Sequence, residues 1–297
     1  MKSGIIVLKK EEGITSQGAV NRIKRLFSVK KAGHTGTLDP LATGVLPILL
    51  DRAVKASEYM LSSDKHYRAT LLLGITTDTE DITGTTLTES SDIPGEDEVM
   101  RAIASFEGKI MQTPPMYSAL KVGGKKLCDM ARAGIEIERT PREITVHKID
   151  AARKDERTYV LDVHCSKGTY IRTLCSDIGA ALGCGAVMKA LERTEASVFT
   201  LEDAHTISEI EAMSEEEREN LVVPTERIFE SYERVLLPQF FARLARCGVE
   251  IYLKKIGKKI DVGTLVTLYD EKGFFALGEV RNFDEGEAIK PIKQFDI

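Results

Sequence analysis

The sequence predicts an α+β fold, with a mixed or antiparallel sheet and flanking helices over residues 1–225 and a small β-rich unit over residues 232–297. Three observations predict it. Strand-like and helix-like runs alternate without a repeating strand–helix–strand unit, which argues against a parallel α/β sheet. Residues 112–142 carry Pro114-Pro115, Gly123-Gly124 and many cations, the composition of an insertion projecting from a sheet, here a candidate mobile clamp. Finally, 297 residues lie at the upper end of what one core serves, roughly 250–300 residues, so a boundary is expected in the last third.

Taken in order, residues 5–8 read as a short strand. Thr15 or Ser16 is a good N-cap for a helix whose apolar face is Ala19, Val20, Ile23, Leu26 and Phe27. Residues 32–47 hold Gly33, Gly36, Pro40, Gly44 and Pro47, too many turn formers for a helix or a central strand, so they read as a loop. The apolar run 45–50 on its far side argues that the loop is ordered. Tyr67, Ala69, Leu71 and Leu73 alternate with Arg68, Thr70 and Leu72 as in a half-buried strand, ended by Gly74. Tyr159, Leu161, Val163 and Cys165 repeat that pattern. After Lys167-Gly168-Thr169 the period becomes helical, with Ile171, Leu174, Ile178 and Leu182 on one face and Gly183 as the stop. An acidic helix is expected to end near Leu221, with a linker from Pro224. Beyond it come a short helix over residues 240–247 and strands over 265–269 and 274–280, joined by a turn at 270–273.

Composition excludes several classes. No run approaches the roughly 18 apolar residues of a membrane span, and the first ten residues have no apolar signal core, so no membrane partner and a cytoplasmic location are expected. Five scattered Cys, with no C-x-x-C pair and no His at ligand spacing, support neither a disulfide framework nor a zinc site. The acidic turn Thr76-Thr77-Asp78-Thr79-Glu80-Asp81 lacks the Gly and terminal Glu of a calcium loop. No phosphate loop or dinucleotide fingerprint is present, so no nucleotide cofactor is expected.

The net charge of -5 conceals a segregation. Residues 78–98 hold 8 acidic and no basic residues, and residues 202–219 hold 8 acidic and 1 basic, which leaves the remainder net positive. Its cations cluster at Arg22, Lys24, Arg25, Lys30 and Lys31, at Lys121, Lys125 and Lys126, and at Lys254, Lys255, Lys258 and Lys259. Each alone reads as a solvated face; together they make a polyanion a candidate partner.

Chemistry concentrates in Gly33-His34-Thr35-Gly36-Thr37-Leu38-Asp39-Pro40, where one carboxylate stands among glycines before a proline. Asp39 either caps a turn or is a nucleophile or base on a rigid loop. His34 and Tyr67 read as structural when taken alone. Arg172 opens a helix, where a cation is unfavourable, so it calls for an anionic partner, and Asp39 would suit.

At these residues the chain resembles the bacterial tRNA pseudouridine-55 synthase family, TruB, over nearly its whole length. The sixteen residues from Ala32 through Asp39-Pro40-Leu41-Ala42-Thr43-Gly44 to Pro47 match the family signature around its catalytic aspartate. Lys65-His66-Tyr67-Arg68-Ala69, Gln112-Thr113-Pro114-Pro115-Met116-Tyr117-Ser118 and Lys167-Gly168-Thr169-Tyr170-Ile171-Arg172 agree in the same order. The tail, with Phe275-Ala276-Leu277-Gly278-Glu279-Val280, resembles the family's small RNA-binding PUA domain.

The resemblance implies the pseudouridine synthase fold, with residues 112–142 as its thumb and residues 232–297 as a PUA-like unit. It implies Asp39 as the nucleophile that isomerises the T-loop uridine at position 55, without metal or cofactor, and leaves open whether the uracil ring or the ribose carbon is attacked. Arg172 would keep Asp39 ionised and aimed, Tyr67 would stack on the uracil and help move the proton, and His34 would support the vacated stack. Asp81, Tyr170 and Leu191 would line the pocket. Lys121, Lys125 and Lys126 would grip T-arm phosphates. The thumb implies a stand-alone enzyme, a monomer on one tRNA with no guide RNA. Departures are the missing proline after Lys10, Cys128 in place of a common tyrosine, and Val187 and Glu192 in place of a frequent His and Arg, which remove positive charge near the expected RNA path. Two other readings compete: a tRNA-binding protein whose catalysis is incidental, and a two-carboxylate hydrolase using Asp81 as second acid.

Overall fold

In the computed structural model residues 3–295 are described, apart from the side chain of Lys126. The chain opens with β1 (Gly4–Lys10). Thr15 caps α1 (Ser16–Leu26) by accepting a hydrogen bond from the Gly18 N–H, and Ala19, Val20 and Ile23 form its buried stripe. β2 (Ala32–His34) and β3 (Thr43–Leu50) follow, so the turn-rich stretch is a loop only over residues 35–42. Gly44 and Pro47 lie inside β3. Pro47 is tolerated there because it pairs with Val7, whose carbonyl accepts from the His205 N–H on the far side of β1. The Val7–Pro47 pair therefore exchanges no ladder bonds, and the missing N–H costs none toward β1.

After a 3-10 turn (Asp51–Ala56) and α2 (Ser57–Leu61) comes β4 (Lys65–Leu73), in which Ala69, Leu71 and Leu73 are buried. Gly74, at φ 80°, ends it in a conformation that a side chain resists. The hairpin β5 (Ile75–Thr77) and β6 (Thr86–Glu89) precedes α3 (Glu96–Ala104). β7 (Gly108–Gln112) leads into the insertion, which holds β8 (Lys121–Val122), β9 (Lys125–Lys126) and α4 (Leu127–Arg132) before the chain returns along β10 (Arg142–Arg153). Gln112 and Arg142 are register partners, so the insertion leaves and re-enters the sheet at one point. β11 (Thr158–Cys165), α5 (Ile171–Ala181), β12 (Ala186–Ala196) and β13 (Phe199–Thr200) complete this part.

The strands run in the order β1-β3-β12-β4-β11-β10-β7, with β2 on β3 and β13 on β12. The sheet is mixed because β3 and β12 pair in parallel while the other pairs are antiparallel. On one face Ile6, Leu46, Leu71 and Val163 pack with Val20 of α1 and Leu174 of α5 in the main core. β7, β10 and β12 were not legible as strands. The eleven residues of β12, AVMKALERTEA, are mostly good helix formers, and tertiary pairing with β4 overrides that preference.

The expected acidic helix is two short ones, α6 (Ile207–Ala212) and α7 (Glu215–Asn220). Thr206 with Glu209, and Ser214 with Glu217, each build a capping box, and extended backbone at Met213 separates them. The stretch after Pro224 is not a loose linker either. Val223 exchanges hydrogen bonds of 2.8 and 2.9 Å with Ile5, and Thr225–Phe229 is a 3-10 turn that buries Phe229.

β14 (Glu233–Leu236), α8 (Gln239–Arg246), β15 (Ile251–Tyr252), β16 (Leu265–Asp270), β17 (Gly273–Phe283) and β18 (Gly286–Gln294) follow. The strands form a second sheet in the order β14-β16-β17-β18-β15, with its own core of Val235, Ala242, Leu268, Phe275 and Ile289. A shared cluster seals this sheet to the first: Ile5, Val7, Val45 and Leu49 pack with Phe229, Leu277 and Phe295. β1 and β3 thus bury both faces, which is why they read as continuous apolar runs. Among the described residues no helix is long and apolar enough to cross a membrane.

Candidate active site

The loop 35–42 is held from beneath by three polar side chains. Ser16 Oγ accepts from the Leu38 N–H and donates to the Leu38 carbonyl, both at 2.8 Å. Lys10 Nζ, fully buried, donates to the carbonyls of Ala42 (2.6 Å), Glu11 (2.9 Å) and Pro40 (3.2 Å). Arg193, also buried, donates to the carbonyls of Val45 (2.7 Å) and Gly36 (3.2 Å). Its strand crosses Gly44 so closely that a Cβ there would meet the Arg193 carbonyl at 2.2 Å, and Gly44 stands at φ 97°. Only glycine fits. The missing proline after Lys10 leaves these bonds in place.

Asp39 projects from this loop toward Arg172 on the first turn of α5. Arg172 Nε lies 2.9 Å from Asp39 Oδ2, Nη1 donates to the Thr79 carbonyl (2.9 Å) and Nη2 to the Tyr117 carbonyl (2.7 Å). Arg172 is 5% exposed and all three of its guanidinium nitrogens have partners, so its aim is fixed. Burial pushes the Asp39 carboxyl above the usual range, the Arg172 charge opposes this, and Asp81 adds to it. The pair is therefore a partly desolvated carboxylate restrained by a cation, and burial outweighs the cation that sequence reasoning expected to dominate.

A cavity of about 350 Å³ opens around Asp39, and Tyr67, Tyr170, Leu191, Arg172, Lys65 and Arg193 are among the residues lining it. Burial raises the phenols of Tyr67 and Tyr170, so both keep their protons. Tyr170 is fixed by Gln112, whose amide bonds both its N–H (2.8 Å) and its carbonyl (3.0 Å). Lys65 is buried and its ammonium is lowered to about 8 by desolvation.

The sequence-predicted residues divide accordingly. Asp39, Tyr67, Arg172, Tyr170 and Leu191 come together in the cavity; Asp81 and His34 do not line it. Asp81 lies behind Arg172, with Oδ2 3.7 Å from Nη1 and Oδ1 accepting from Thr79 and Thr83. So placed, it supports the arginine and is no second acid facing a substrate. His34 ends β2, half-buried, and burial lowers its imidazole below the usual range, which keeps it neutral. Lys121 and Lys125 are exposed on the insertion, and the Lys126 side chain lies outside the described residues. Val187 is fully buried in β12, so its lack of charge takes nothing from an RNA-facing surface; Glu192 is half-buried. Lys10, Arg193 and Gln112 were missed as site residues.

A family model described as the N-terminal domain of TruB family pseudouridylate synthase matches residues 24–171, and one for the tRNA pseudouridylate synthase B C-terminal domain matches residues 172–238. The chain belongs to the TruB family. It is similar to tRNA pseudouridine synthase B of Alkaliphilus oremlandii (strain OhILAs), 42% identical over 287 residues that cover 96% of this chain and 95% of that one. The protein of the same name from Clostridium perfringens (strain 13 / Type A) is 41% identical over 294 residues, 98% of each chain. Among solved structures, an H/ACA RNP bound to a substrate RNA containing 2'-deoxyuridine aligns with a TM-score of 0.72 at 25% identity, covering 99% of this chain and 85% of that one. A Cbf5-Nop10-Gar1 complex aligns at 0.70 and 28%, covering 98% and 84%. Within this TruB chain the two family models meet between Ile171 and Arg172, so the Asp39–Arg172 pair joins one matched segment to the other.

Proposed function

We propose that this TruB-family protein converts a uridine of tRNA to pseudouridine, at position 55 in the T loop, with Asp39 as the nucleophile. The observation that carries the reading is the Asp39–Arg172 pair, 2.9 Å apart, in a cavity lined by Tyr67, Tyr170 and Leu191. A uridine inside folded RNA must leave its stack to enter such a cavity. His34, outside the cavity, then supports the vacated stack.

Asp39 attacks the uracil ring or the ribose C1′, and the N1–C1′ bond breaks. The uracil turns and C5 bonds to C1′; the bond to Asp39 breaks and returns the free carboxylate, and C5 gives up its proton while N1 ends with one. Atoms and electrons balance within the substrate, so no cofactor or metal is called for. Burial makes Asp39 more basic than a free aspartate, hence a better nucleophile, and Arg172 keeps it aimed. Tyr67 retains its phenol proton and offers a ring face and an O–H to the uracil.

Residues 1–225 are read as the catalytic unit with its thumb at 112–142, and residues 232–297 as a PUA-like RNA-binding unit. Lys121, Lys125 and Lys126 on the thumb contact phosphates of the T arm, and Lys254, Lys255, Lys258 and Lys259 on the second unit add a further cation cluster for the polyanion. The thumb supports action on tRNA alone, without guide RNA, and a clamp on one tRNA is read as a monomer, here a cytoplasmic one. Asp39→Asn tests the reading against a pure binding role: it abolishes pseudouridine formation in a tRNA transcript while the Kd for tRNA stays within about threefold, because the change is nearly isosteric. Product formation by that variant would remove Asp39 from the chemistry.

A further inference from the structure

Sequence spacing supports no zinc site, yet three of the five histidines meet on the exposed face of the first sheet. His66 on β4 and His164 on β11 are register partners, and their rings stack at 3.9 Å between centroids. β10 carries a bulge between Val146 and Lys148, whose partners are Cys165 and His164. The extra residue at that bulge is His147. A bulge re-aims the side chain it inserts, and here the His147 ring comes to 4.6 Å from that of His164. Asp64, just before β4, closes the group: its Oδ2 is 3.1 Å from His147 Nε2 and 3.8 Å from His164 Nε2.

We propose that Asp64, His147 and His164 form a binding site for a divalent transition-metal ion, with Zn2+ as the fitting example. The three donor atoms all lie within 4.8 Å of one another. Donors about 2.0–2.1 Å from a tetrahedral ion stand roughly 3.3–3.4 Å apart, so one separation already fits and the others close by rotamer adjustment. Two imidazoles and one carboxylate are a ligand set that zinc accepts, with water in the fourth position. The donor side chains are 35–48% exposed, which leaves that position open to solvent. His66, stacked on His164 and with its Nε2 3.5 Å from Glu195 Oε2, fixes the ring plane of His164 from behind. The site lies on the face of β4 opposite the active-site cavity: half-buried His66 alternates with Lys65 and Tyr67, which line that cavity. Bound metal would tie the start of β4 and the end of β11 to the bulge in β10.

The test titrates untagged, chelator-treated full-length protein with Zn2+ by calorimetry, and with Co2+ by visible absorption. The expected result is one ion per chain, cobalt bands of nitrogen–oxygen coordination, and a melting temperature that climbs with zinc concentration. His164→Gln and His147→Gln each weaken binding by about tenfold or more, and His66→Gln by less. Asp39→Asn leaves it unchanged. No saturable binding, unchanged binding in both ligand variants, or a thiolate-to-cobalt band pointing to Cys128 or Cys247 would each overturn the assignment.

Discussion

Arg172 Nε stands 2.9 Å from Asp39 Oδ2 while its two remaining nitrogens hold the Thr79 and Tyr117 carbonyls. One guanidinium therefore ties together the Asp39 loop, the turn after β5 and the start of the 112–142 insertion. An ammonium has neither the fork nor the reach to serve all three. Arg172→Lys is expected to lower the single-turnover rate about 100-fold, the scale of a 1 Å misplacement. A rate within a factor of three of wild type in a folded variant would contradict this.

The pH dependence follows from Asp39. As the proposed nucleophile this carboxylate must be ionised, and burial raises its pKa above the ordinary value. As pH falls through that raised pKa, the reactive form is lost, so the acid limb of the single-turnover rate lies above the roughly 3.9 of a free aspartate. Arg172→Met removes the opposing cation and moves the limb to higher pH. A limb that stays put in that variant, or lies below the free value in wild type, speaks against a desolvated nucleophile.

Lys10 acts through backbone. Lys10→Met takes one donor from each of the carbonyls of Glu11, Pro40 and Ala42, of which Pro40 keeps the Gly13 N–H at 2.8 Å, and loosens the loop under Asp39, so turnover drops about tenfold to 100-fold in a protein that still folds. Desolvation also lowers its ammonium from 10.5 to about 8. The unfolded chain then binds more protons than the folded one between these values, so wild-type stability rises with pH through that window. Denaturant unfolding should show a shallower rise in the variant, with Lys65, also at about 8, keeping its share.

If the thumb grips phosphates as proposed, tRNA binding falls with salt more steeply than any chemical rate. Lys121→Ala and Lys125→Ala should each reduce the slope of log Kd against log salt by about 1. A Kd that is flat from low to moderate salt would exclude phosphate-dominated recognition.

Much of this was legible from residues alone. Glycines and prolines around Asp39 announce an ordered loop because few other residues tolerate such a backbone, and the alternation in β4 and β11 reports a one-sided burial that the structure shows. Lys10 and Arg193 were not legible, because their partners are carbonyls supplied by strands remote in sequence. β12 was hidden by helix-forming residues. The single acidic helix was an over-reading of charge, since Ser214 carries a second N-cap inside it. Burial as the dominant influence on Asp39 was equally invisible, because desolvation depends on what folds over a group and not on its neighbours in sequence.

The most direct measurement uses a tRNA transcript tritiated at C5 of uridine, incubated with the purified protein without added metal or nucleotide. Release of about one tritium per tRNA is expected, confined to the T loop and absent with Asp39→Asn, since each isomerisation frees one C5 proton. No release from well-folded tRNA, or release that survives Asp39→Asn, would contradict it.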